Sequence, residues 1–237
     1  MSNLTIPPII HSVWVGGGKK SPLMERCIAS WSRHLAGYTF VEWNESNFDI
    51  EAVPFVAEAY AAKKWAFVSD YIRAHALYTQ GGIYLDTDNL VLTSLDAFRK
   101  HRAFVGFERP EYPFTACFGA EAGHPLVKDI LDYYEGRSFV LDPDDPLSAN
   151  NTLSVSELLI EKYGAKTDNT FQILSEGIAL YPDTVLCNPS ADSSVLHIFT
   201  GTWLGGHSRK RQFVTELKSY LDKPWKAELY RKIFRNG

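Results

Sequence analysis

The stretch Ser69-Asp70-Tyr71-Ile72-Arg73, followed at Gly81-Gly82 by Ile83-Tyr84-Leu85-Asp86-Thr87-Asp88, limits the folds open to this chain more than any other part of it. The apolar spacing from Trp65 to Tyr78 is helical, the glycine pair stops the helix, and Ile83 to Leu85 reads as a buried strand. A helix advances ~1.5 Å per residue and a strand ~3.3 Å. The helix from Asp70 to Gln80 and the strand from Gly82 to Asp86 therefore cover similar lengths, and a reversal at the glycines sets Asp70 and Arg73 beside Asp86. Three residues apart, Asp70 and Arg73 share one helix face. Arg73 has mostly apolar neighbours and needs a partner if buried, and Asp70 is the natural one.

A helix that returns as a buried strand ending in carboxylates belongs to an α/β sheet, which binds ligands beyond the ends of its strands. The N-terminal part has the same rhythm. Ile9 to Val15 is a buried strand closed by Gly16, Gly17 and Gly18, and Ser21-Pro22 starts a helix with Met24, Cys27, Ile28, Trp31 and Leu35 on one face. Tyr38 to Trp43 is a second strand, and Phe55 to Tyr60 a further helix, giving the βαβα order of an α/β domain. Later strands are expected at Ala103 to Phe107, Phe114 to Gly119, Phe171 to Leu174 and Val195 to Phe199. Pro125 starts one helix, and Ser154 to Glu157 forms an S-x-x-E capping box for another. The Pro- and Asp-rich segment Asp142 to Asn151 is expected to be a surface loop or lid.

Two hard carboxylates at a D-x-D spacing, Asp86 and Asp88, suit Mg²⁺ or Mn²⁺ with positions left open for phosphate oxygens. An isolated D-x-D can equally cap a turn, but an apolar strand leading into it and a helix bearing Asp70 and Arg73 are hard to explain by packing. Trp14 before three glycines suits an aromatic platform for a flat base. His197, on an apolar strand entering a glycine-containing aromatic loop, is a candidate ligand for Mn²⁺ or phosphate. His11 and His75 read as core histidines.

Charge narrows the function classes. With 24 basic and 28 acidic residues in 237, a net charge of -4 and a pI near 6.0, a nucleic-acid binder held by phosphate contacts is disfavoured. Residues 204 to 237, however, carry nine basic and three acidic side chains, a balance of +6 against -10 for the remainder. Phe213, Leu217, Tyr220, Leu221, Trp225, Leu229 and Phe234 interleave with that charge, as in packed amphipathic helices or a patch for an anionic membrane surface. Cys27, Cys117 and Cys187 are too few and too scattered for a disulfide framework or a cysteine zinc site, which fits a reducing compartment. No apolar run approaches the roughly 18 residues of a membrane span. The expectation is a cytoplasmic chain without a cleaved signal, held at most peripherally at the inner face of a membrane.

Several motifs agree in order with one family. The opening Ile6-Pro7-Pro8-Ile9-Ile10-His11-Ser12-Val13-Trp14-Val15-Gly16-Gly17, Ser30-Trp31, Trp43-Asn44, the central S-D-x-x-R and G-G-x-Y-x-D-x-D, and His197 to Trp203 together resemble the DXD glycosyltransferases of family 32. That family is related to the yeast initiating mannosyltransferase and remotely to the glucosylating domains of clostridial toxins. The resemblance implies a single GT-A domain over residues 1–203, a Rossmann-like mixed α/β sheet flanked by helices, with 204–237 as a helical tail. It further implies a retaining hexosyltransferase using Mn²⁺ or Mg²⁺ and a nucleotide-diphosphate sugar, UDP-hexose before GDP-mannose. The acceptor would be an oligosaccharide or lipid-linked glycan of bacterial surface polysaccharide synthesis.

By the same resemblance Trp14 stacks on the donor base, Asp70 and Arg73 hold ribose and sugar hydroxyl groups, and Asp86 contacts ribose and metal-bound water. Asp88 ligates the metal, His197 faces metal and diphosphate, and Thr202 and Trp203 close over the phosphates. Val13, Gly16, Tyr84 and Thr87 complete the donor-binding set. The chain departs from its relatives at Phe114-Thr115-Ala116-Cys117, where they often carry an asparagine, and at Asn150-Asn151-Thr152, where they often carry T-G-P. A covalent route to retention needs a further carboxylate, and Glu108, Glu111 and Glu121 lie in the right third of the chain without a motif behind them. A metal-dependent phosphohydrolase would want a nucleophilic aspartate and a downstream lysine, and nothing after Asp88 supplies a convincing lysine. A non-catalytic carbohydrate-binding protein with a relict donor site would be signalled by loss of a DXD aspartate, and both are present. A toxin-like transferase acting on a host protein lacks support from any translocation or protease segment.

Overall fold

The computed structural model describes residues 4–139, 151–201 and 209–234. Strand β1 (Ile9–Val13) ends at the glycines, and helix α1 (Pro22–His34) starts on Ser21, whose Oγ accepts the Met24 N–H at 3.3 Å, with Pro22 in its first turn. Strand β2 (Thr39–Trp43) then pairs parallel to β1. After α2 (Pro54–Ala61), α3 (Trp65–Gln80) stops at Gly81, and β3 (Gly82–Leu85) returns parallel to β1 with Ile83 opposite Ile10. The reversal needs its glycines. Gly81 and Gly82 have φ of 65° and 113°, and a Cβ at Gly82 would lie 2.6 Å from the Ile9 carbonyl oxygen.

The chain continues through β4 (Asn89–Val91), β5 (Ala103–Gly106), β6 (Cys117–Ala120), α4 (Pro125–Asp132) and α5 (Asn151–Glu161). It then forms β7 (Gln172–Ile173), β8 (Ile178–Tyr181), the single-turn α6 (Asp183–Leu186), β9 (Val195–His197), α7 (Arg209–Lys218) and α8 (Pro224–Phe234). Among the described residues, seven strands form one mixed sheet in the order β2-β1-β3-β6-β5-β8-β7. Strands β1, β2, β3, β5 and β8 point one way, and β6 and β7 oppose them. The ends of β1, β3 and β5 therefore open on the same edge. Strands β4 and β9 form a separate antiparallel ribbon with Asn89 opposite His197.

This is the α/β mixed sheet flanked by helices that the motif order implies. Core side chains lie on both faces. One cluster joins β1, α2, α3, α4 and α5 through Val13, Val56, Ile72, Leu126 and Leu159, and a second lies between α1 and the opposite face through Trp31, Ile83 and Phe104. Leu221 and Ala227 join a third with Leu23, Cys27, Leu90 and Leu196, so the C-terminal helices pack on α1 and the β4–β9 ribbon. Cys27, Cys117 and Cys187 are buried and unpaired as thiols. Among the described residues no helix is long and apolar enough to cross a membrane.

The expected later strands exist but are shorter than their apolar runs. The short strands β4 and β8 and the turn α6 were not anticipated from periodicity. The capping-box expectation is corrected: α5 begins at Asn151, so Ser154 lies inside the helix and its Oγ bonds back to the Asn151 carbonyl at 3.2 Å. Of the expected loop, residues 142–150 lie outside the described residues, as do Thr202 and Trp203.

Candidate active site

Helix α3 and strand β3 meet as their lengths require. The Arg73 guanidinium pairs with the Asp70 carboxylate, both largely buried, and sits 5.0 Å from the centroid of the Tyr84 ring. Tyr84 donates its hydroxyl to Asp86 Oδ1 at 2.6 Å and has Ser69 Oγ at 3.0 Å. One polar chain thus links the helix to the first aspartate of the D-x-D. Burial raises the Asp70 carboxyl, with Arg73 opposing and Asp86 adding to the rise. Burial works against the Arg73 charge, but Asp70 and the groups around it hold the guanidinium more firmly protonated than in water.

The second aspartate is organised from the other side. Asp88 Oδ2 accepts the Thr200 N–H at 2.9 Å and the Thr200 hydroxyl at 2.8 Å, and its Oδ1 lies 3.5 Å from His197 Nε2. The β4–β9 ladder makes this meeting obligatory, because Asn89 faces His197 directly. Asp86, Asp88 and His197 each present one ligand atom within 4.8 Å of the others. His197 Nδ1 is buried without a hydrogen-bond partner among the described residues. Two carboxylate oxygens, an imidazole nitrogen and room for further oxygens fit Mn²⁺ or Mg²⁺.

Burial alone would raise Asp88, but His197 and the two Thr200 bonds outweigh it and hold the carboxyl below its ordinary value. Burial alone would lower His197, but Asp88 outweighs it and raises the imidazole well above the usual range. Phe199 follows at φ 60°, a left-handed conformation uncommon for a bulky residue, with its ring centroid 3.9 Å from that of His197.

These groups border a cleft of about 580 Å³ that runs from the end of β1 across β3 to the end of β5. Val13, Trp14, Gly16, Asp70, Arg73, Tyr84, Asp86, Thr87, Asp88 and His197 all line it. Trp14 is half-buried, donates Nε1 to the Gly18 carbonyl at 2.6 Å and has Lys20 Nζ 4.9 Å from its ring centroid. Gly16 gives its N–H to Glu45 Oε1 at 2.6 Å, and a Cβ there would meet the Trp65 ring at 2.7 Å. His11 is a core residue as expected, donating Nε2 to Gly81 O at 2.8 Å and accepting from Trp43 Nε1 at 3.1 Å. His75 packs edge-on against Trp43 and Phe48.

Sequence reasoning gave no role to Glu45, Trp65 and Thr200, although Trp65 opens the helix that carries Asp70, Thr200 follows His197 by three residues, and Glu45 follows the Trp43-Asn44 motif. Glu108 is different. It follows the apolar run Ala103 to Phe107 as Asp86 follows Ile83 to Leu85, so the same pattern marks both. Of the three glutamates considered, Glu108 alone lines the cleft; Glu111 is exposed outside it, and Glu121 pairs with Arg102 at 2.6 Å. Burial raises the Glu108 carboxyl, His197 and Arg109 oppose the rise, and Asp86 adds to it.

Residues 21–105, from the start of α1 to β5, match the family model described as the glycosyltransferase sugar-binding region containing the DXD motif. Inositol phosphoceramide mannosyltransferase 3 of Schizosaccharomyces pombe is 26% identical over 133 residues, covering 53% of this chain and 36% of the relative. The chain thus spans about a third of that relative's length. Among solved structures, the PaToxG glycosyltransferase aligns with 66% of this chain and 70% of its own at 16% identity and a TM-score of 0.48. A glycosyltransferase involved in glycosylation of the major capsid of PBCV-1 aligns with 89% of this chain and 100% of its own at 12% identity and a TM-score of 0.45. The family match runs from α1 into β5 and takes in Asp70, Arg73, Asp86 and Asp88.

Proposed function

We propose that the protein is a metal-dependent, retaining glycosyltransferase that moves a hexose from a nucleotide-diphosphate sugar, UDP-linked before GDP-linked, to a glycan or lipid-linked acceptor of bacterial surface polysaccharide synthesis. The observation that carries this reading is the Asp86, Asp88 and His197 cluster at the strand edge, beside the Asp70–Arg73 pair and inside one cleft. In it, Trp14 offers its ring to the base, and the Gly16 backbone leaves room for the nucleoside. Asp70 and Arg73 take the ribose and sugar hydroxyl groups, and Tyr84 keeps Asp86 turned toward the cleft. Asp86, Asp88 and His197 hold Mn²⁺ or Mg²⁺, which when bound neutralises the charge that develops on the diphosphate leaving group. Thr87 borders the phosphate path, and Thr202 and Trp203 are the expected closure over it.

Calorimetric titration with UDP and GDP tests the reading. Binding is expected in Mn²⁺ and not in EDTA, and Trp14→Ala should weaken it by roughly 1 to 3 kcal/mol, the contribution of a stacked base. Normal nucleotide affinity in a folded Trp14→Ala variant would remove the stacking role.

The C-terminal helices support a second element, peripheral attachment at the cytoplasmic face of an anionic membrane where a lipid-linked acceptor would be presented. Of eleven exposed large apolar side chains among the described residues, six belong to this segment: Phe213, Tyr220, Trp225, Leu229, Ile233 and Phe234. Trp225, Leu229 and Ile233 recur every fourth residue, so they share one outward stripe of α8, close to Lys232 in sequence. Each cation near such a surface contributes about 1 kcal/mol, screened beyond a Debye length of ~8 Å at physiological salt. Sedimentation with phosphatidylglycerol vesicles at low salt should bring down the protein, with phosphatidylcholine vesicles much less. High salt, or Trp225→Ser with Ile233→Ser, should release it. Equal partitioning into both vesicles, or none at low salt, would leave the stripe without a membrane role.

A further inference from the structure

Among the described residues, four carboxylates line the cleft, and three of them are engaged. Asp70 pairs with Arg73, Asp86 accepts from Tyr84, and Asp88 accepts both Thr200 bonds. The fourth, Glu108, is partly buried, and its carboxylate makes no hydrogen bond or ion pair among the described residues, although Arg109 is its neighbour in sequence. Its backbone is fixed on both sides: the N–H donates to the Tyr112 carbonyl at 2.9 Å, and the carbonyl accepts from Asn188 Nδ2 at 3.2 Å. Asn188 is itself anchored to Asp183 Oδ2 at 2.8 Å, and Asp183 is buried. A half-desolvated carboxylate without a partner is unfavourable unless a substrate completes it.

The sheet sets where on the substrate it acts. Along the shared edge the order is β1, β3, β6, β5, so Trp14 lies at one end, the aspartates in the middle and Glu108 two strands further, roughly 10 Å at a strand spacing of ~4.8 Å. With the base at Trp14 and the diphosphate at Asp86 and Asp88, the transferred sugar lies between the aspartates and Glu108. The diphosphate and the Glu108 carboxylate then stand on opposite sides of the anomeric carbon, as an in-line displacement requires.

We infer that Glu108 is the catalytic nucleophile of a double displacement, carrying the sugar as a glycosyl ester between donor and acceptor. In the first step a Glu108 carboxylate oxygen bonds to the anomeric carbon, and the bond from that carbon to the diphosphate oxygen breaks with its electron pair leaving on the diphosphate. This step inverts the anomeric centre. In the second step the acceptor hydroxyl oxygen bonds to the anomeric carbon from the side the diphosphate left, and the ester bond breaks with its electron pair returning to the carboxylate. The hydroxyl proton passes to the diphosphate oxygen on that same side. Two inversions give net retention, and water in place of the glycan gives hydrolysis by the same route.

The inference rests on the reading of a retaining nucleotide-sugar transferase, and its test separates the two. The wild type, Glu108→Gln, Glu108→Ala and Glu111→Gln are compared for hydrolysis of UDP-glucose, UDP-galactose and GDP-mannose in Mn²⁺, with the anomer first released read by proton NMR. UDP and GDP affinity is measured beside it by calorimetry. Loss of a nucleophile costs up to ~10⁶-fold in turnover, and a fall of at least ~100-fold is expected for both Glu108 variants with nucleotide affinity unchanged. Glu111→Gln should behave as wild type. Azide, a small anion that fits the space the Glu108 side chain leaves, should restore nucleotide diphosphate release to Glu108→Ala and yield the glycosyl azide of inverted configuration. Near-normal turnover in Glu108→Gln, or a Glu108→Ala variant that azide leaves inactive beside a retaining wild type, overturns the nucleophile assignment alone. A wild type that releases the inverted anomer overturns the retaining reading, and one that neither binds nucleotide nor hydrolyses any donor overturns the donor reading; the Glu108 assignment falls with either.

Discussion

Asp88→Asn is expected to reduce metal-dependent donor turnover at least ~100-fold, the scale of losing one preorganised group that stabilises transition-state charge. The carboxylate has two duties. Oδ1 lies 3.5 Å from His197 Nε2, and Oδ2 accepts both Thr200 bonds, tying the segment after β9 to the segment before β4. Asparagine keeps an oxygen for Thr200 but gives up the charge a divalent cation needs. Asp88→Ala gives up both, and the partly buried Thr200 N–H left without its acceptor costs up to roughly 1 kcal/mol of stability. Alanine is therefore the poorer probe, because lost activity would mix with a weakened fold. Nucleotide diphosphate release, measured beside a thermal melt, separates the two effects. Wild-type turnover in Asp88→Asn would mean that the D-x-D holds no essential metal.

Arg73→Ala should be the most destabilising single substitution in the site, by about 3–5 kcal/mol, because it strands the Asp70 carboxylate in a buried position. Neutralising both groups should cost less than removing one. Asp70→Asn combined with Arg73→Met keeps similar volume and leaves no buried charge, so urea denaturation should show it recovering much of the loss. Equal stability of Arg73→Ala and the wild type would show that water reaches Asp70 freely. The pair lies under Tyr84 and Asp86, so the same scaffold that stabilises α3 against β3 also aims the first metal-side carboxylate.

What was legible in the sequence was local. The α3 period, the glycine pair and the apolar run into Asp86 lie within a few turns of one another, and chain geometry alone brings Asp70, Arg73 and Asp86 together. Ser21-Pro22 marks the start of α1 for the same reason: a cap is a contact between near neighbours. The union of Asp88 with His197 is not local. It depends on the pairing of β9 with β4, and while the apolar run at Val195 marks β9, the three-residue β4 carries no periodic signal. The direction of β6 was equally hidden, since a short apolar strand reads the same in either orientation, yet it sets β5 parallel to β3 and delivers Glu108 to the shared edge. Ser154 shows the converse hazard, where a sound local pattern was overridden because the helix had already begun at Asn151.

The central claim is that this cleft activates a nucleotide-diphosphate sugar through a divalent cation at Asp86, Asp88 and His197. The most direct measurement is release of nucleotide diphosphate from a panel of UDP- and GDP-sugars by the wild-type protein, first in EDTA and then with Mn²⁺ restored. The account predicts slow release from at least one donor, abolished by EDTA and recovered with Mn²⁺. Release that continues unchanged in EDTA, or no release from any donor in Mn²⁺ at protein concentrations where the nucleotide also fails to bind, would contradict it.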